Sequence, residues 1–230
     1  MSYYYLLFDL DNTLFDFDLA QDQALEILLT QEGVPKQQIN DYKAYYVPLN
    51  QFLWEQLESK KISRQELVNS RFSLLFEHFG HKKDGQELAQ VYQKALCQQG
   101  QLLDGAVDLL KTCLSKGKRL FAISNGISKI QRSRLKVSGL NQYFEEIFIS
   151  EEIGQVKPDR AFFDTVRSKI QAFSDPDAVV IGDSLSADIK GANQSGLDSI
   201  WFNLQNKKAD LAIKATYQAK NYQELLELII

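Results

Sequence analysis

The sequence has few of the residue types that cross-link or metallate small proteins, with two cysteines and two histidines among 230 residues. Cys97 and Cys113 are not in a Cys-x-x-Cys arrangement, so we expect two packing thiols in a reducing compartment and no disulfide. His78 and His81 have no third ligand nearby in the sequence, so we expect surface imidazoles and no zinc site. These scarcities favour a cytoplasmic protein held together by its core.

The sequence also lacks long apolar segments and long runs of basic residues. No apolar segment approaches the roughly 20 residues needed to cross a bilayer, and the apolar start of the chain is interrupted by Asp9. We therefore expect neither a membrane span nor a signal peptide. The chain has 26 basic and 30 acidic side chains, a net charge of −4, and no long basic run. Binding to a nucleic acid polymer is therefore disfavoured.

The apolar residues that are present, 44% of the chain, fall into short runs separated by helical patterns. Residues 3–8 and 120–124 read as buried strands, as do residues 147–149, 178–182 and 199–202. Continuous apolar runs are typical of parallel strands that are covered on both faces. Strands alternating with helices predict an α/β fold with a parallel, Rossmann-like sheet. The chain is long enough for this core and a second, smaller domain.

Two carboxylates, Asp9 and Asp11, directly follow the first predicted strand. An unpaired ionised group buried inside the strand would cost several kcal/mol, so both should lie at its carboxyl end, where open α/β sheets place their ligands. Neighbouring anions repel, and hard oxygen ligands favour Mg²⁺ as the partner. The alternative is that residues 11–13 form an ordinary turn or a helix cap.

Three further segments follow later strands. Ser124-Asn125-Gly126 offers a hydroxyl, an amide and backbone N–H groups, which suit a phosphate, although the same residues are common in turns. Lys157 stands before a proline and by itself reads as a surface lysine. Asp183 and Asp188 follow another strand. The alternative is that Asp183 caps the next helix and Asp188 lies on the exposed face of that helix. Their order places all of them at one edge of one sheet.

Between the first two strands, apolar residues recur at helical spacing from Leu25 to Tyr92, and no convincing strand interrupts them. Four or so helices with short connections are expected there, as an inserted helical bundle.

In order and spacing, Asp9-x-Asp11-x-Thr13, Ser124, Lys157 and residues 182–188 resemble the four motifs of the haloacid dehalogenase superfamily. The resemblance implies a core of residues 1–14 and 96–230 and a helical cap of the first type at residues 15–95. Within the superfamily the chain resembles pyrimidine 5′-nucleotidases, through Phe15-x-Phe17-Asp18, Pro48-Leu49, Arg71-Phe72, residues 149–154 and Trp201-Phe202-Asn203.

The resemblance also implies roles. Asp9 is expected to be the nucleophile that forms an aspartyl-phosphate, and Asp11 the general acid and base. Lys157 is expected to offset the charge of the phosphoryl group, which Ser124, Asn125 and the Gly126 amide would hold. The remaining expectation is a Mg²⁺ site formed by Asp9, Asp183 and the Asp11 backbone carbonyl, with Asp188 orienting these ligands.

The substrate is expected to be a nucleoside 5′-monophosphate, preferably of a pyrimidine. Candidate recognition residues are aromatic and polar side chains of the cap region, each of which also fits simple packing; they are Phe17, Tyr45, Tyr46, Asn50, Trp54, Arg71 and Phe72. A phosphatase of small sugar phosphates or of phosphoglycolate, a phosphomutase and a non-catalytic phosphate sensor remain open, as does the choice between monomer and homodimer.

Overall fold

The computed structural model describes residues 3–230, which contain a six-stranded parallel sheet with helices. The strand order is β3-β2-β1-β4-β5-β6. This confirms the predicted α/β class. The strands are β1 (Tyr5–Phe8), β2 (Arg119–Ser124), β3 (Glu146–Ile149), β4 (Ala178–Gly182), β5 (Asp198–Phe202) and β6 (Tyr217–Ala219).

The chain divides into two compact units, and the sheet belongs to the one made of the stretch ending at Phe17 and of Gly100–Ile230. Residues 1 and 2 of the predicted core lie outside the described part. The helices of this unit are α5 (Ala106–Ser115), α6 (Ser128–Ser138), α7 (Ser150–Ile153), α8 (Arg160–Lys169), α9 (Lys190–Ser195) and α10 (Tyr222–Ile229), with a π-helical turn at Leu185–Ile189.

Alternation along the central strand explains why the sheet is covered on both faces. Leu6 and Phe8 pack in one buried cluster with residues of α5 and α10, while Tyr5 and Leu7 pack in another with residues of α8. Successive side chains of a strand point to opposite faces, so a continuous apolar run serves two cores.

The strand register fixes the edge at which the polar residues gather. Phe8 is level with Ala122 on β2 and with Ile181 on β4. Residues that follow these positions therefore emerge together at the carboxyl edge. Strand β6 was not predicted, because it is only three residues long and its middle residue is exposed.

The second unit, Asp18–Gln99, is helical, and its described residues contain no strand. Its first helix begins one residue before the unit does. Phe15 bridges to Asp11 and Leu102 within the sheet-containing unit. The division of the chain at residues 14 and 96 stays a prediction. The helices are α1 (Phe17–Gln31), α2 (Ile39–Glu58), α3 (Arg64–His78) and α4 (Gly85–Leu96), with a 3₁₀ turn at Lys36–Gln38. That this unit acts as a cap over a substrate stays a prediction.

Two expectations from scarcity can be compared with the fold. Neither Cys97 nor Cys113 is in a disulfide, and the imidazoles of His78 and His81 are exposed. Within residues 3–230, no helix combines the length and the apolar character needed to span a bilayer.

Candidate active site

A buried lysine is at the centre of the polar cluster on the carboxyl edge of the sheet. Lys157 is 1% exposed, and its ammonium group donates to Asp9 Oδ1 at 2.7 Å, to Asp188 Oδ1 at 2.6 Å and to the Ile123 carbonyl at 3.2 Å. Burial alone would lower the pKa of Lys157, but the carboxylates of Asp188 and Asp9 outweigh it and raise that pKa. Lys157 is therefore a fixed positive charge at this edge, and not the surface lysine that its local sequence suggests.

Asp9 directly follows β1 and is almost completely buried. Burial raises the pKa of Asp9 well above its ordinary value; the ammonium of Lys157 opposes this shift, and the carboxylates of Asp188 and Asp183 add to it. An ionised Asp9 thus depends on nearby positive charge. The backbone N–H of Asp9 donates to the Ile181 carbonyl at 2.8 Å, which holds the residue at the end of the sheet.

Asp9, Asp183 and Asp188 each offer a carboxylate oxygen, and the three oxygens lie within 4.8 Å of one another. Burial raises the pKa of Asp183 to about 6, against the opposing charge of Lys207, whose Nζ is 3.1 Å from Asp183 Oδ2. Hard oxygen donors crowded in this way suit a small divalent cation such as Mg²⁺. The donor set therefore fits the metal that the sequence predicts.

Local geometry explains why β4 ends in glycine and how the segment after it is held. A Cβ on Gly182 would lie 2.2 Å from Asp188 Oδ2, so only glycine leaves room for that carboxylate. Both oxygens of Asp188 are used, one by Lys157 and the other by the backbone N–H of Ser184 at 3.1 Å. Trp201 Nε1 donates to the Asp183 carbonyl at 2.9 Å and so anchors the loop.

At the end of β2, the side chains of Ser124 and Asn125, which the sequence predicts to bind a phosphate, form hydrogen bonds within the protein. The Asn125 side chain clasps the backbone of Lys157, accepting from its N–H and donating to its carbonyl, both at 2.8 Å. Asn125 therefore positions the lysine. Ser124 Oγ accepts from the Gly126 N–H at 3.0 Å and from Gln131 Nε2 at 2.8 Å. Phosphate contacts from these three residues stay a prediction.

Asp11 lies at the same edge, and two residues that the sequence analysis missed bind it. Gln131 Nε2 donates to Asp11 Oδ2 at 2.7 Å, and Arg134 Nη1 pairs with Asp11 Oδ1. Both donors lie on α6, one helical turn apart, so they share a face. The sequence shows a basic amphipathic helix here, but only the tertiary fold reveals that this face meets Asp11.

The candidate recognition residues fall in both units. Phe17 belongs to the sheet-containing unit, where its ring centroid is 5.5 Å from the Arg134 guanidinium. In the helical unit, Tyr46 is buried with its ring stacked on Phe72 at 5.2 Å. Tyr45 stacks on His78, and Trp54 packs against the small leucine cluster of α2 and α3.

A polar cluster lies inside the helical unit. Asn50 Nδ2 donates to Gln21 Oε1 at 3.1 Å, and Arg71 Nη1 and the Tyr46 hydroxyl each donate to Asn50 Oδ1 at 3.3 Å. Arg71 is 3% exposed, and within residues 3–230 its Nε and Nη2 have no hydrogen-bond partner.

Comparison with known proteins gives consistent matches. The family model of the haloacid dehalogenase-like hydrolases matches residues 6–202. The chain is 51% identical to the pyrimidine 5′-nucleotidase PynA of Streptococcus pneumoniae, covering 100% of this chain and 96% of that protein. It is 28% identical to the pyrimidine 5′-nucleotidase YjjG of Escherichia coli, covering 100% and 99%. The crystal structure of YfnB from Bacillus subtilis, bound to magnesium, matches with a TM-score of 0.94 at 40% identity, covering 100% and 99%.

Proposed function

We propose that this chain, which belongs to the haloacid dehalogenase-like hydrolases, is a Mg²⁺-dependent phosphatase that hydrolyses nucleoside 5′-monophosphates, preferably of pyrimidines. The observation that carries the proposal is the ammonium of Lys157 held between Asp9 and Asp188 at the carboxyl edge of the sheet. A phosphate monoester is a dianion, so a carboxylate attacks its phosphorus only where fixed positive charge offsets the negative charge that accumulates.

In the proposed reaction an Asp9 oxygen attacks phosphorus, and the bond from phosphorus to the leaving oxygen breaks. Asp11 gives its proton to that oxygen, so the product leaves as an alcohol and Asp9 carries the phosphoryl group. Asp11 then takes a proton from water while the water oxygen attacks phosphorus. Inorganic phosphate leaves and the Asp9 carboxylate is regenerated.

Asp9 and Asp183 would hold the metal, together with the backbone carbonyl of Asp11, and Asp188 would orient them through its bond to Lys157. When bound, Mg²⁺ supplies positive charge for the phosphoryl oxygens. Lys157 supplies charge on the same site from the protein itself. Ser124 and the backbone amides after it would bind the remaining phosphoryl oxygens.

The nucleotide preference is supported by the similarity to PynA and YjjG over the whole chain. For recognition of the base we propose the helical unit's polar cluster, in which Arg71 keeps two donor nitrogens without a partner among the described residues. Base carbonyl oxygens are acceptors that match such donors. Phe17, Tyr46, Asn50 and Trp54 stay candidates for contacts with the nucleoside.

The test is Mg²⁺-dependent release of phosphate from nucleoside monophosphates, sugar phosphates and phosphoglycolate, with Asp9→Asn alongside. We expect turnover of pyrimidine monophosphates that falls at least about 10⁴-fold in the variant, because the covalent route is lost. Acid-quenched enzyme should carry phosphate on Asp9 in the wild type alone.

The other outcomes separate the alternatives. Preference for sugar phosphates or phosphoglycolate would refute the nucleotide assignment and leave the mechanism. Transfer of phosphate within a sugar without its release would indicate a mutase. Ligand binding with no turnover of any substrate would indicate a sensor. We also propose a cytoplasmic location, which agrees with two cysteines that form no disulfide.

A further inference from the structure

We infer that Arg134 and Gln131 are positioning residues that orient the Asp11 carboxylate for proton transfer. This inference rests on the proposed function, since it assigns to Asp11 the role of general acid. The two side chains come from one face of α6, and together they give each oxygen of Asp11 a donor. Arg134 acts through Asp11, and no contact between Arg134 and the substrate is required.

The burial of Arg134 indicates that the pair is more than a surface ion pair. Arg134 is 0% exposed, whereas the side chain of Asp11 keeps 30% of its surface open. A buried cation is costly unless it is paired with good geometry. The guanidinium is therefore the fixed partner, and the carboxylate is the group that still reaches solvent.

Aromatic rings hold the guanidinium from the segment that follows Asp11. The Arg134 Cζ is 4.2 Å from the ring centroid of Phe15 and 5.5 Å from that of Phe17. Cations over ring faces at these distances are attracted by the ring quadrupole. Arg134 thus joins α6 to the chain from Asp11 to Phe17, so its position and that of Asp11 are set together.

Gln131 connects the same carboxylate to Ser124. Its Nε2 donates both to Asp11 Oδ2 and to Ser124 Oγ. A Cβ on Gly126 would lie 2.7 Å from Cγ and 2.8 Å from Nε2 of Gln131. The glycine after Ser124 and Asn125 therefore leaves the space through which this side chain reaches Asp11.

Orientation matters because general acid catalysis requires the donor within hydrogen-bond reach of the leaving oxygen. An alkoxide such as the 5′-oxygen of a nucleoside leaves poorly without a proton, whereas p-nitrophenolate leaves without one. Removal of Arg134 should therefore affect the first kind of substrate far more than the second. A residue that only stabilises the fold would affect both alike.

The experiment measures kcat/KM of Arg134→Met for the alkyl phosphate that the wild type cleaves best and for p-nitrophenyl phosphate. The value of kcat/KM reports only the steps up to release of the leaving group. The later step, in which Asp11 acts as a base, therefore does not affect it. We expect a loss of about 100-fold for the alkyl phosphate, the effect of a misplaced catalytic group, and of less than about threefold for p-nitrophenyl phosphate. For the alkyl phosphate, kcat/KM of Arg134→Lys should be at least about tenfold higher than that of Arg134→Met. The lysine ammonium still pairs with a carboxylate, although it lacks the planar fork of arginine.

Arg132→Met is the matched control, since this exposed arginine of α6 pairs with Glu152, and both substrates should be cleaved as by the wild type. If Arg134→Met does not fold, Gln131→Leu replaces it and must show the same selectivity for the alkyl phosphate. Equal losses on the two substrates, or no loss on either, would overturn the inference. A wild type that cleaves neither substrate would instead overturn the proposed function.

Discussion

The two units of the chain differ in how their buried charged groups are paired. At the edge of the sheet four carboxylates, Asp9, Asp11, Asp183 and Asp188, share the buried cations Lys157 and Arg134 and the half-exposed Lys207. Inside the helical unit the cation Arg71 forms no ion pair within residues 3–230 and relies on Asn50 and on the faces of Phe72 and Tyr92. The first cluster has spare negative charge and the second has spare donors. Each imbalance indicates the ligand that would complete the cluster: a cation in one and an acceptor in the other.

The largest effect should come from removing the cation that several carboxylates share. Lys157→Met leaves Asp9 and Asp188 buried without it, and breaking a buried pair in this way costs about 3–5 kcal/mol. Urea denaturation in EDTA should show this loss in the free energy of unfolding, and added Mg²⁺ should reduce it, because a second cation offsets the same carboxylates. The exposed Lys190→Met is the control. A loss below about 1 kcal/mol, as for a surface pair, would show that Lys157 is not the cation on which the cluster depends.

The sequence predicted this cluster well but not its partners. Asp9, Lys157 and Asp183 each follow or neighbour an apolar strand, and parallel strands bring their carboxyl ends to one edge, so the order of these segments predicted that they could meet. Their roles were implied only by the family resemblance. Gln131 and Arg134 were missed because the sequence pattern of a helix indicates which face is buried or polar, but not which carboxylate that face contacts. The Asn125 side chain has an N–H donor suited to a phosphate, yet the side chain binds the backbone carbonyl and N–H of Lys157, a contact over 32 residues that no local pattern encodes. Strand β6 was missed because its length and polarity resemble those of a loop.

The next largest effect should come from removing one carboxylate from the cluster at the edge of the sheet, where negative charge is in excess. Asp183→Asn removes one of the three crowded oxygens, so we expect the apparent dissociation constant for Mg²⁺ to rise at least about tenfold. The measurement is the rise in melting temperature with Mg²⁺, which follows the ratio of metal concentration to that constant. Asp210→Asn, on an exposed loop residue, should leave the titration unchanged. An unaltered titration in Asp183→Asn would remove Asp183 from the metal site.

In the helical unit the same kind of substitution should behave differently. Arg71→Met replaces a buried cation that has no carboxylate partner among the described residues with an apolar side chain of similar length. The desolvation cost disappears with the charge, so the free energy of unfolding should stay within about 1 kcal/mol of the wild type or increase. If Arg71 binds the base, KM for the pyrimidine monophosphate should rise about 10- to 100-fold, the worth of a charged hydrogen bond.

The control for Arg71 is the exposed Arg160→Met, for which neither stability nor KM should change. Destabilisation of Arg71→Met by several kcal/mol would show that the arginine holds the helical unit together, and the contrast with Lys157 would then disappear. An unchanged KM would remove Arg71 from recognition of the substrate. The two readouts, urea denaturation and steady-state kinetics, separate a role in folding from a role in binding.

The smallest effect concerns the start of helix α3 in the helical unit. Helix α3 begins with a capping box, in which Ser63 Oγ accepts from the Glu66 N–H and the Glu66 carboxylate accepts from the Ser63 N–H. Ser63→Ala should cost about 1 kcal/mol, measured by urea denaturation at neutral pH. The backbone N–H of Ser63 also lowers the pKa of Glu66, so the contribution of this carboxylate is present above its unfolded pKa and is lost as the pH falls through the folded one. Glu66 stays ionised from pH 6 to 8, so the difference in stability between wild type and Ser63→Ala should be constant over that range, and Glu66→Gln should remove the acid dependence. A Ser63→Ala variant as stable as the wild type would mean that packing alone fixes the start of α3.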